Sequence, residues 1–542
     1  MKIKRIGVGL AAVAAATALT LTGCSGSGSG GSDNSSSAKA DPSAIITTNG
    51  NEPQNPLIPG NTTEVGGGKI VTSIFEGLVS YKADGSTQNE VAKSITSSDN
   101  KVWDIKLNDG WKFTNGEPVT SDSFIDAWNL TANSANAYGG SYFLDNIEGF
   151  SYDKPVTALP GLKKVSDTEF TVTLSSPLAA WPLRLGYSAF YPMPKAAFSD
   201  LKAYGENPIG DGPYKVKSWT HNQQIELVTN KDYKGHRKPV NGGLTIKFYT
   251  SQDTAYADAQ SNDLDVLDAV PDSAFQTFES DFKGREVNQP AAIFQSITIP
   301  GYLKHFGEDK EGQLRRAAIS EAINRPQITK VIFNGTRTPA SDFTSPVIDG
   351  WSKSIEGSDV LKYNADDAKK LWKEADAISK FTGTFTISYN ADGGHQAWVD
   401  AVANSLKNTL GIDAEGKSYP DFASLLKDED ANKMTGAFRS GWQADYPGLD
   451  DFLTPLYQTG AGSNYGRYSS KQVDDLFKQA AQASSEADAN KLYQQAQEIL
   501  FKDLPAIPLW YSNEVGVWSS NVSDVQFGWD SVPLYYAIKK TS

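Results

Sequence analysis

The chain has 542 residues, with 50 basic and 64 acidic side chains and a formal net charge of −14. Aromatic residues make up 11% of the chain, which excludes disorder for most of its length, and the acidic balance argues against a nucleic-acid-binding protein. A single cysteine and four histidines exclude a disulfide scaffold and a Cys-rich zinc site, and they leave little for a His-based metal centre.

The N-terminus has the layout of a secretory signal peptide over residues 1–23. Three of the first five residues are basic, and an uncharged apolar run from Ile6 to Leu21 follows them. This run is shorter than the roughly 20 residues that cross a bilayer comfortably. No other stretch of the sequence is long and apolar enough to span a membrane, so we expect a soluble, extracytoplasmic body.

Cys24 follows Leu21-Thr22-Gly23, a pattern that resembles the lipobox of bacterial lipoproteins. The resemblance implies that a lipid such as palmitate acylates the thiol and that Cys24 becomes the mature N-terminus. Eleven of the sixteen residues from Ser25 to Ala40 are Gly or Ser, which predicts a flexible tether over residues 24–40. We therefore expect a body that is lipid-anchored to the cell membrane.

Alternating apolar residues predict several strands in the body. Val102–Leu107 alternates, turns through Asn108-Asp109-Gly110 and resumes at Trp111–Phe113, which predicts a hairpin. Further strands are predicted at Phe170–Leu174 and Phe385–Tyr389.

Residues 411–418 match the phosphate-loop pattern GxxxxGK[ST]. That pattern binds phosphate only where a strand precedes it and a helix follows it. Here an apolar stripe with helical spacing ends at Leu410, and Pro420 comes soon after the pattern. Gly411 is therefore predicted to end a helix, and nucleotide binding is not predicted.

The segment 438–448 carries the most unusual chemistry of the chain. It places Arg439, Trp442 and Asp445 within seven residues and then breaks at a Pro-Gly pair. A zwitterionic ligand needs such a set, because a carboxylate holds its ammonium, a guanidinium holds its carboxylate and apolar walls lie between. The residues alone leave open the alternative that Arg439 and Asp445 are solvated loop charges and that Trp442 belongs to the core.

Helical spacing of apolar residues predicts two late helices, one across Val473–Ala480 and one across Leu492–Leu500, with Pro505 ending the second. Helices and strands are mixed without a steady βαβ rhythm, and no linker rich in Pro or Gly occurs after residue 45. This pattern predicts an α/β or α+β body of several lobes that are joined by more than one chain crossing.

Five segments, in order along the chain, resemble the bacterial extracellular solute-binding proteins of family 5, the oligopeptide- and dipeptide-binding lipoproteins of ABC importers. The resemblance covers nearly the whole mature chain from about Ile45 onward. The five segments are Ile74–Leu78, Leu107–Thr120, Asn207–Tyr214, Leu314–Arg325 and Arg439–Leu453.

This resemblance implies an α/β chain with a two-lobed periplasmic-binding-protein type II-like fold, an extra third domain and a ligand cleft between the lobes. The expected bounds are 45–76, 190–288 and 515–542 for a discontinuous lobe I, 77–189 for the extra domain and 289–514 for lobe II.

The resemblance also implies roles for individual residues. Asp445 is expected to pair with the α-ammonium group of a peptide, Arg439 with its C-terminal carboxylate, and His395 with ligands of other lengths. Three neighbours are expected to line the same site: Trp442, Gln443 and Tyr446. One departure is visible, because the acidic residue that peptide-binding relatives carry in an early loop is absent from 56–60, and the next acid, Glu64, is offset.

The function that follows from the resemblance is capture of extracellular oligopeptides in the cleft and their delivery to an ABC permease pair powered by a cytoplasmic ATPase. We expect a monomer with no catalytic residues, cofactor or metal. One alternative keeps the fold and binds an oligosaccharide or another small solute. A second alternative is a surface-anchored hydrolase, for which the sequence contains no recognisable nucleophile or metal set.

Overall fold

The computed structural model of the protein describes residues 40–391, 394–420 and 422–541. The predicted signal peptide 1–23, the predicted lipidation site Cys24 and the predicted tether up to residue 39 lie outside these residues. No helix in the described parts of the chain is both long enough and apolar enough to cross a membrane.

The described residues form strands and helices in a mixed order. The strands are β1 Ile45–Gly50, β2 Val79–Tyr81, β3 Thr87–Asn89, β4 Ala92–Thr96, β5 Val102–Leu107, β6 Leu162–Ser166, β7 Glu169–Thr173, β8 Tyr214–Thr220, β9 Gln224–Thr229, β10 Gly243–Phe248, β11 Val266–Leu267, β12 Glu286–Thr298, β13 Arg337–Pro339, β14 Thr384–Asn390, β15 Asp413–Tyr419, β16 Ala437–Gln443, β17 Ala506–Trp518, β18 Val522–Ser523 and β19 Lys539–Lys540. The α-helices are α1 Val65–Ile74, α2 Ser121–Ala132, α3 Trp181–Arg184, α4 Leu201–Glu206, α5 Gln252–Ser261, α6 Phe278–Asp281, α7 Lys310–Ala322, α8 Arg325–Val331, α9 Ala365–Ile378, α10 Gln396–Leu410, α11 Phe422–Asp430, α12 Leu449–Tyr457, α13 Lys471–Ala481 and α14 Glu486–Asp503.

One mixed sheet runs through most of the body, in the order β15-β14-β16-β12-β17-β11-β1-β10-β9-β8, with β13 also paired to β17. Its two central strands, β12 and β17, have 13 residues each and pair antiparallel along their length. β16 pairs with the second half of β12, whereas β11 pairs with the last two residues of β17. The two long strands therefore carry the sheet from one half of the body to the other.

The ladder between β12 and β17 is irregular between Pro290 and Phe294, which is near the middle of β12. A proline has no N–H to donate, and an irregularity of this kind bends a strand and increases its local twist. The sheet therefore changes direction between the half that contains β1 and the half that contains β14 to β16.

A separate four-stranded sheet, in the order β4-β5-β7-β6, is formed by the part of the chain between β3 and α3. We call it the small sheet. Alternate residues of β5 are buried, and one of them, Trp103, packs against Trp181, which belongs to a cluster of aromatic rings around Trp128. The predicted hairpin between 102–107 and 111–113 is wrong, because β5 pairs with β4 and β7 instead. The segment after Gly110 folds back on itself, with the N–H of Val119 donating to the carbonyl of Trp111 at 2.9 Å.

Other local predictions are confirmed. The strands predicted around residues 170 and 385 are β7 and β14, and the two late helices are α13 and α14. Gly411 ends α10 in the left-handed conformation, with φ at 70°, and β15 follows it. The phosphate-loop pattern thus lies between a helix and a strand, the reverse of the order that binds phosphate.

The first and last described residues lie next to each other. Ala40 forms a β-bridge with Thr541, and the N–H of Asp41 donates to the carbonyl of Lys540 at 2.8 Å. The ammonium of Lys540 in turn lies 2.6 Å from Oδ2 of Asp265, which is buried beside the main sheet. The C-terminal segment therefore closes onto the start of β1.

Candidate ligand-binding cleft

A cavity of about 430 Å³ lies where three parts of the body meet. Residues before and within α1 and the C-terminal loop 528–536 form one wall. β2 with the residue that follows it and the segment 186–191 form the second, and Gln443 to Asp445 form the third. Several aromatic side chains line it: Tyr81, Tyr187, Tyr191, Tyr214, Trp529, Tyr535 and Tyr536. A concave site that combines aromatic walls with a few polar groups has the form of a small-ligand site.

Asp445 enters this cavity from a loop that follows β16. Two donors hold the loop, because the backbone N–H of Asp445 and the indole N–H of Trp442 both donate to Oδ2 of Asp451, at 2.9 and 3.2 Å. Tyr446, on the other side, donates its hydroxyl to Oδ2 of Asp450 at 2.8 Å. Both acceptors lie in the first turn of α12, where a carboxylate also interacts favourably with the helix N-terminus.

The carboxylate of Asp445 has a polar neighbour but no cationic partner. Oδ2 accepts a hydrogen bond from the hydroxyl of Tyr142 at 2.8 Å. Burial raises the pKa of Asp445 to about 6, while the Tyr142 bond and the more distant Arg184 act in the opposite direction. In the described part of the chain Asp445 forms no ion pair within 4.0 Å. A desolvated carboxylate of this kind favours a positively charged ligand group.

Arg184, the last residue of α3, links the region of the small sheet to the segment that carries Asp445. Its guanidinium lies 3.2 Å from Oδ2 of Asp450 and 4.8 Å from the ring centroid of Tyr446. The same two regions meet further away, where Asn100 donates its side-chain amide to the carbonyl of Ala483 at 2.7 Å. The wall that carries Asp445 is therefore fixed by buried contacts to a different part of the chain.

Two cations of the cavity lining, Arg237 and Lys69, are already paired. Arg237 forms an ion pair with Glu76 at 2.9 Å and donates to the carbonyls of Thr72 and Phe75. Lys69, on α1, forms a buried ion pair with Asp268. Both carboxylate partners lie outside the cavity lining, so they neutralise these cations from behind the wall.

Glu64 also lines the cavity, but its charge is engaged locally. It precedes α1, and both of its carboxylate oxygens accept from the N–H of Gly67, at 3.0 and 2.9 Å. This is an N-cap arrangement, which satisfies backbone donors at the start of the helix. Glu64, the acid that follows the loop 56–60, therefore stabilises α1, the helix that forms this wall.

The structure separates the sequence-predicted residues into groups. Asp445 and Gln443 line the cavity, whereas Trp442 and Tyr446 hold the loop that presents them. Arg439, on β16, donates from Nε to Oδ1 of Asn390 at 2.7 Å and does not line this cavity.

His395 also lies away from the cavity lining. It precedes α10, and its Nδ1 accepts from the indole N–H of Trp398 at 3.1 Å. The ligand-binding roles of all these residues stay predictions. No group of three or more His, Cys, Asp or Glu side chains in the described residues is arranged to hold a metal ion.

Sequence reasoning missed several residues that build the site. Asp450 and Asp451 directly follow the predicted segment, and a signal for them existed, since acidic residues after a Pro-Gly break are typical of a helix start. Tyr142 is 303 residues from its partner Asp445, and Arg184 is 266 residues from its partner Asp450. No local sequence pattern marks either residue.

Comparison with known proteins agrees with this architecture. A model of the family described as bacterial extracellular solute-binding proteins, family 5 Middle, matches residues 86–464. The periplasmic oligopeptide-binding protein OppA of Salmonella typhimurium is 27% identical over 492 residues, which cover 87% of this chain and 88% of that protein. The periplasmic murein peptide-binding protein MppA of Escherichia coli is 26% identical over 467 residues, covering 82% of this chain and 83% of that protein.

Solved structures show the same fold. The unliganded open form of the murein tripeptide-binding protein MppA superposes with a TM-score of 0.81 at 22% identity, over 93% of this chain and 98% of that chain. Haemophilus influenzae OppA in complex with RPPGFSPFR gives a TM-score of 0.70 at 22% identity, over 93% and 100% of the two chains. The expected α/β periplasmic-binding fold with several domains is therefore confirmed.

Proposed function

The chain belongs to the bacterial extracellular solute-binding proteins of family 5, and from this membership we propose that it captures peptides in the cleft beside Asp445. The observation that carries the proposal is the unpaired carboxylate of Asp445 in an aromatic-lined cavity. A peptide α-ammonium group would neutralise this carboxylate. Tyr142 and Asp451, which hold the side chain and the backbone of Asp445, would then serve to orient the carboxylate for that group. Relatives named for oligopeptide and murein peptide binding support the same ligand class.

The proposal includes the rest of the ligand path. Gln443 flanks the ligand near its N-terminus, and Trp442 and Tyr446 act at the ligand site by stabilising the loop that presents Gln443 and Asp445. Arg439 and His395, which lie outside the cavity lining, receive the carboxylate of longer peptides. The two halves of the body close on the ligand by bending along the shared strands β12 and β17, and lobe I, lobe II and the extra domain take the bounds predicted from the sequence.

The proposal also includes delivery and anchoring. The closed, monomeric protein passes its peptide to an ABC permease pair with a cytoplasmic ATPase, while acylated Cys24 holds it at the cell membrane. Replacing Cys24 with Ala is expected to move the protein from the membrane fraction to the soluble fraction and to abolish palmitate labelling. A Ser25→Ala variant should stay in the membrane fraction, and an unchanged distribution of Cys24→Ala would contradict the anchoring.

The experiment that tests peptide capture compares free and N-acetylated peptides of the same sequence by isothermal titration calorimetry. Acetylation removes the charge that Asp445 is proposed to hold, so we expect the affinity to fall by about 30-fold or more, which corresponds to at least about 2 kcal/mol. Denaturing mass spectrometry of ligands that co-purify is expected to show a ladder of short peptides. Equal affinity for both peptides would exclude the amine anchor.

Aromatic stacking surfaces favour one second candidate, a neutral oligosaccharide, since Tyr and Trp rings line much of the cavity. In that case sugar masses co-purify, the peptides do not bind, and Asp445→Asn leaves sugar binding nearly unchanged. These outcomes distinguish the two ligand classes in the same samples.

A further inference from the structure

Asp530 is a second carboxylate in the wall of the cavity that contains Asp445. It lies in the C-terminal loop 528–536, a part of the lining distinct from Gln443 to Asp445. Its Oδ1 accepts the backbone N–H of Val532 at 3.1 Å, which fixes the orientation of the carboxylate. In the described part of the chain it forms no ion pair within 4.0 Å.

The cations nearest to Asp530 do not compensate its charge. Arg237 attracts it at a distance, but the guanidinium is held by Glu76 and by two backbone carbonyls. Lys69 is paired with Asp268 in the same way. Lys82, at the exposed turn after β2, lines the cavity and forms no ion pair within 4.0 Å in the described residues.

Apart from Glu64, which caps α1, the described lining of the cavity thus has two carboxylates without an ion pair, Asp445 and Asp530, against one exposed cation, Lys82. Burial is the main cause of the raised pKa of Asp530, which lies at about 6, as it is for Asp445. Both groups are therefore partly desolvated and ionised near neutral pH. A ligand with two separate positive charges matches this arrangement better than a ligand with one.

The surroundings of Asp530 suit a long basic side chain. Trp529 precedes it and meets the ring of Tyr81 edge to face, with centroids 5.3 Å apart. Tyr191, Tyr535 and Tyr536 line the cavity nearby. Aromatic faces pack against the aliphatic stem of lysine or arginine and attract its charged end, while a carboxylate in the same cavity accepts hydrogen bonds from it.

We propose that Asp530 forms a second cation-binding subsite in this cavity, so that the ligands are peptides that carry a basic side chain in addition to the α-ammonium group. This inference rests on the proposed function, since it assumes that Asp445 holds the peptide N-terminus.

The test uses matched host peptides of three and five residues in which alanine fills all positions except one. That position holds either lysine or norleucine, which has the same aliphatic length without the charge, and it is moved along the peptide. Isothermal titration calorimetry with the purified protein at pH 7.5 is expected to show about tenfold or tighter binding of the lysine peptide at one position.

Two variants of Asp530 connect this preference to the carboxylate. Asp530→Asn keeps the oxygen that accepts from Val532 but removes the charge, so it should erase the preference, and the lysine and norleucine peptides should then bind within about twofold of each other. Asp530→Glu keeps the charge and should retain part of the preference. Asp524→Asn is the control, because Asp524 lies in the same C-terminal segment and pairs with Lys539 at the surface.

The outcomes separate this inference from the proposed function. If lysine and norleucine peptides bind equally at every position, or if the preference survives in Asp530→Asn, the second subsite is excluded while peptide capture stands. If none of the peptides binds, the proposed function fails and the subsite fails with it. Thermal unfolding of each variant, with a midpoint close to that of the parent, shows that the fold is retained.

Discussion

The hydroxyl of Tyr142 donates to Oδ2 of Asp445 at 2.8 Å, although 303 residues of sequence separate the two. Tyr142 belongs to the region of the small sheet, whereas Asp445 follows a strand of the main sheet. Because the hydrogen bond stabilises the charged form of Asp445, it lowers a pKa that burial raises. The ionisation of the proposed amine anchor therefore depends on a contact between two parts of the body.

Peptide affinity is expected to fall as the pH drops through about 6. Asp445 binds an ammonium group only as a carboxylate, and its pKa in the ligand-free protein is raised to about 6. In Tyr142→Phe the stabilising hydrogen bond is lost, so the pKa rises and the midpoint of the pH dependence moves to higher pH. Isothermal titration calorimetry between pH 5 and 8 measures both midpoints.

Tyr152→Phe is the matched control, because Tyr152 donates to Asp145 at 3.2 Å and neither residue lines the cavity. An identical midpoint for Tyr142→Phe and Tyr152→Phe would contradict the role of Tyr142.

Asp445→Asn is expected to weaken peptide binding by about 2–5 kcal/mol, since it removes one member of a desolvated charge pair. Calorimetric titration with a free-amine peptide measures the loss. The control is Asp428→Asn, because Asp428 also accepts a tyrosine hydroxyl, that of Tyr419 at 3.0 Å, but does not line the cavity. If Asp445→Asn binds as tightly as Asp428→Asn, another group holds the peptide N-terminus.

The ligand-free protein is expected to be more stable near pH 5 than near pH 8. Burial raises the pKa of Glu76 to about 7 and those of Asp342 and Asp530 to about 6, whereas the unfolded chain has values near 4. Between about pH 4 and 7 the folded state therefore binds more protons than the unfolded state, and the free energy of unfolding decreases as the pH rises.

Differential scanning calorimetry without ligand measures this trend as a fall in the unfolding temperature from pH 5 to pH 8. Asp342→Asn should flatten the trend, because it replaces one of the contributing carboxyls. A steady rise of the unfolding temperature over the same range would show that other groups dominate the linkage.

Arg184→Met is expected to destabilise the fold by about 3–5 kcal/mol, because it leaves the buried carboxylate of Asp450 without its cation. Urea unfolding measures the change, and adding Asp450→Asn to the same chain should recover part of the loss. Lys471→Met is the control, since Lys471 pairs with Asp475 at the surface and its loss should change stability little. Equal effects of the two single changes would show that the Arg184 pair is not a structural link.

The sequence predicted those elements whose cause is local. The apolar spacing of α13 and α14, the alternation of β7 and β14, and the role of Gly411 each depend on residues within one element. The hairpin at 102–113 failed because strand pairing is decided by distant partners. β5 forms its ladders with β4 and β7, and the indole of Trp111 donates to Asp211 at 3.0 Å.

The same limit applies to the candidate site. Arg439 and Asp445 are close in sequence, but β16 is extended, and the four steps from Arg439 to Gln443 carry the chain about 13 Å at ~3.3 Å per residue. Arg439 and Asp445 therefore lie far apart in the structure although only six positions separate them in the sequence. Asp530, by contrast, comes to the cavity from the C-terminal loop, and only the folded chain brings it into the same lining as Asp445.

The bridge between Ala40 and Thr541 makes the body a nearly closed ring of polypeptide. A reporter fused after residue 541 would therefore be attached next to residue 40. It would leave the parts of the surface away from this bridge unobstructed. Joining the two positions with a short linker and opening an exposed loop elsewhere gives a circular permutant with the same contacts, since neighbouring ends tolerate this rearrangement. A fluorescent domain inserted at the new ends would then report the proposed closure of the cleft as an optical signal.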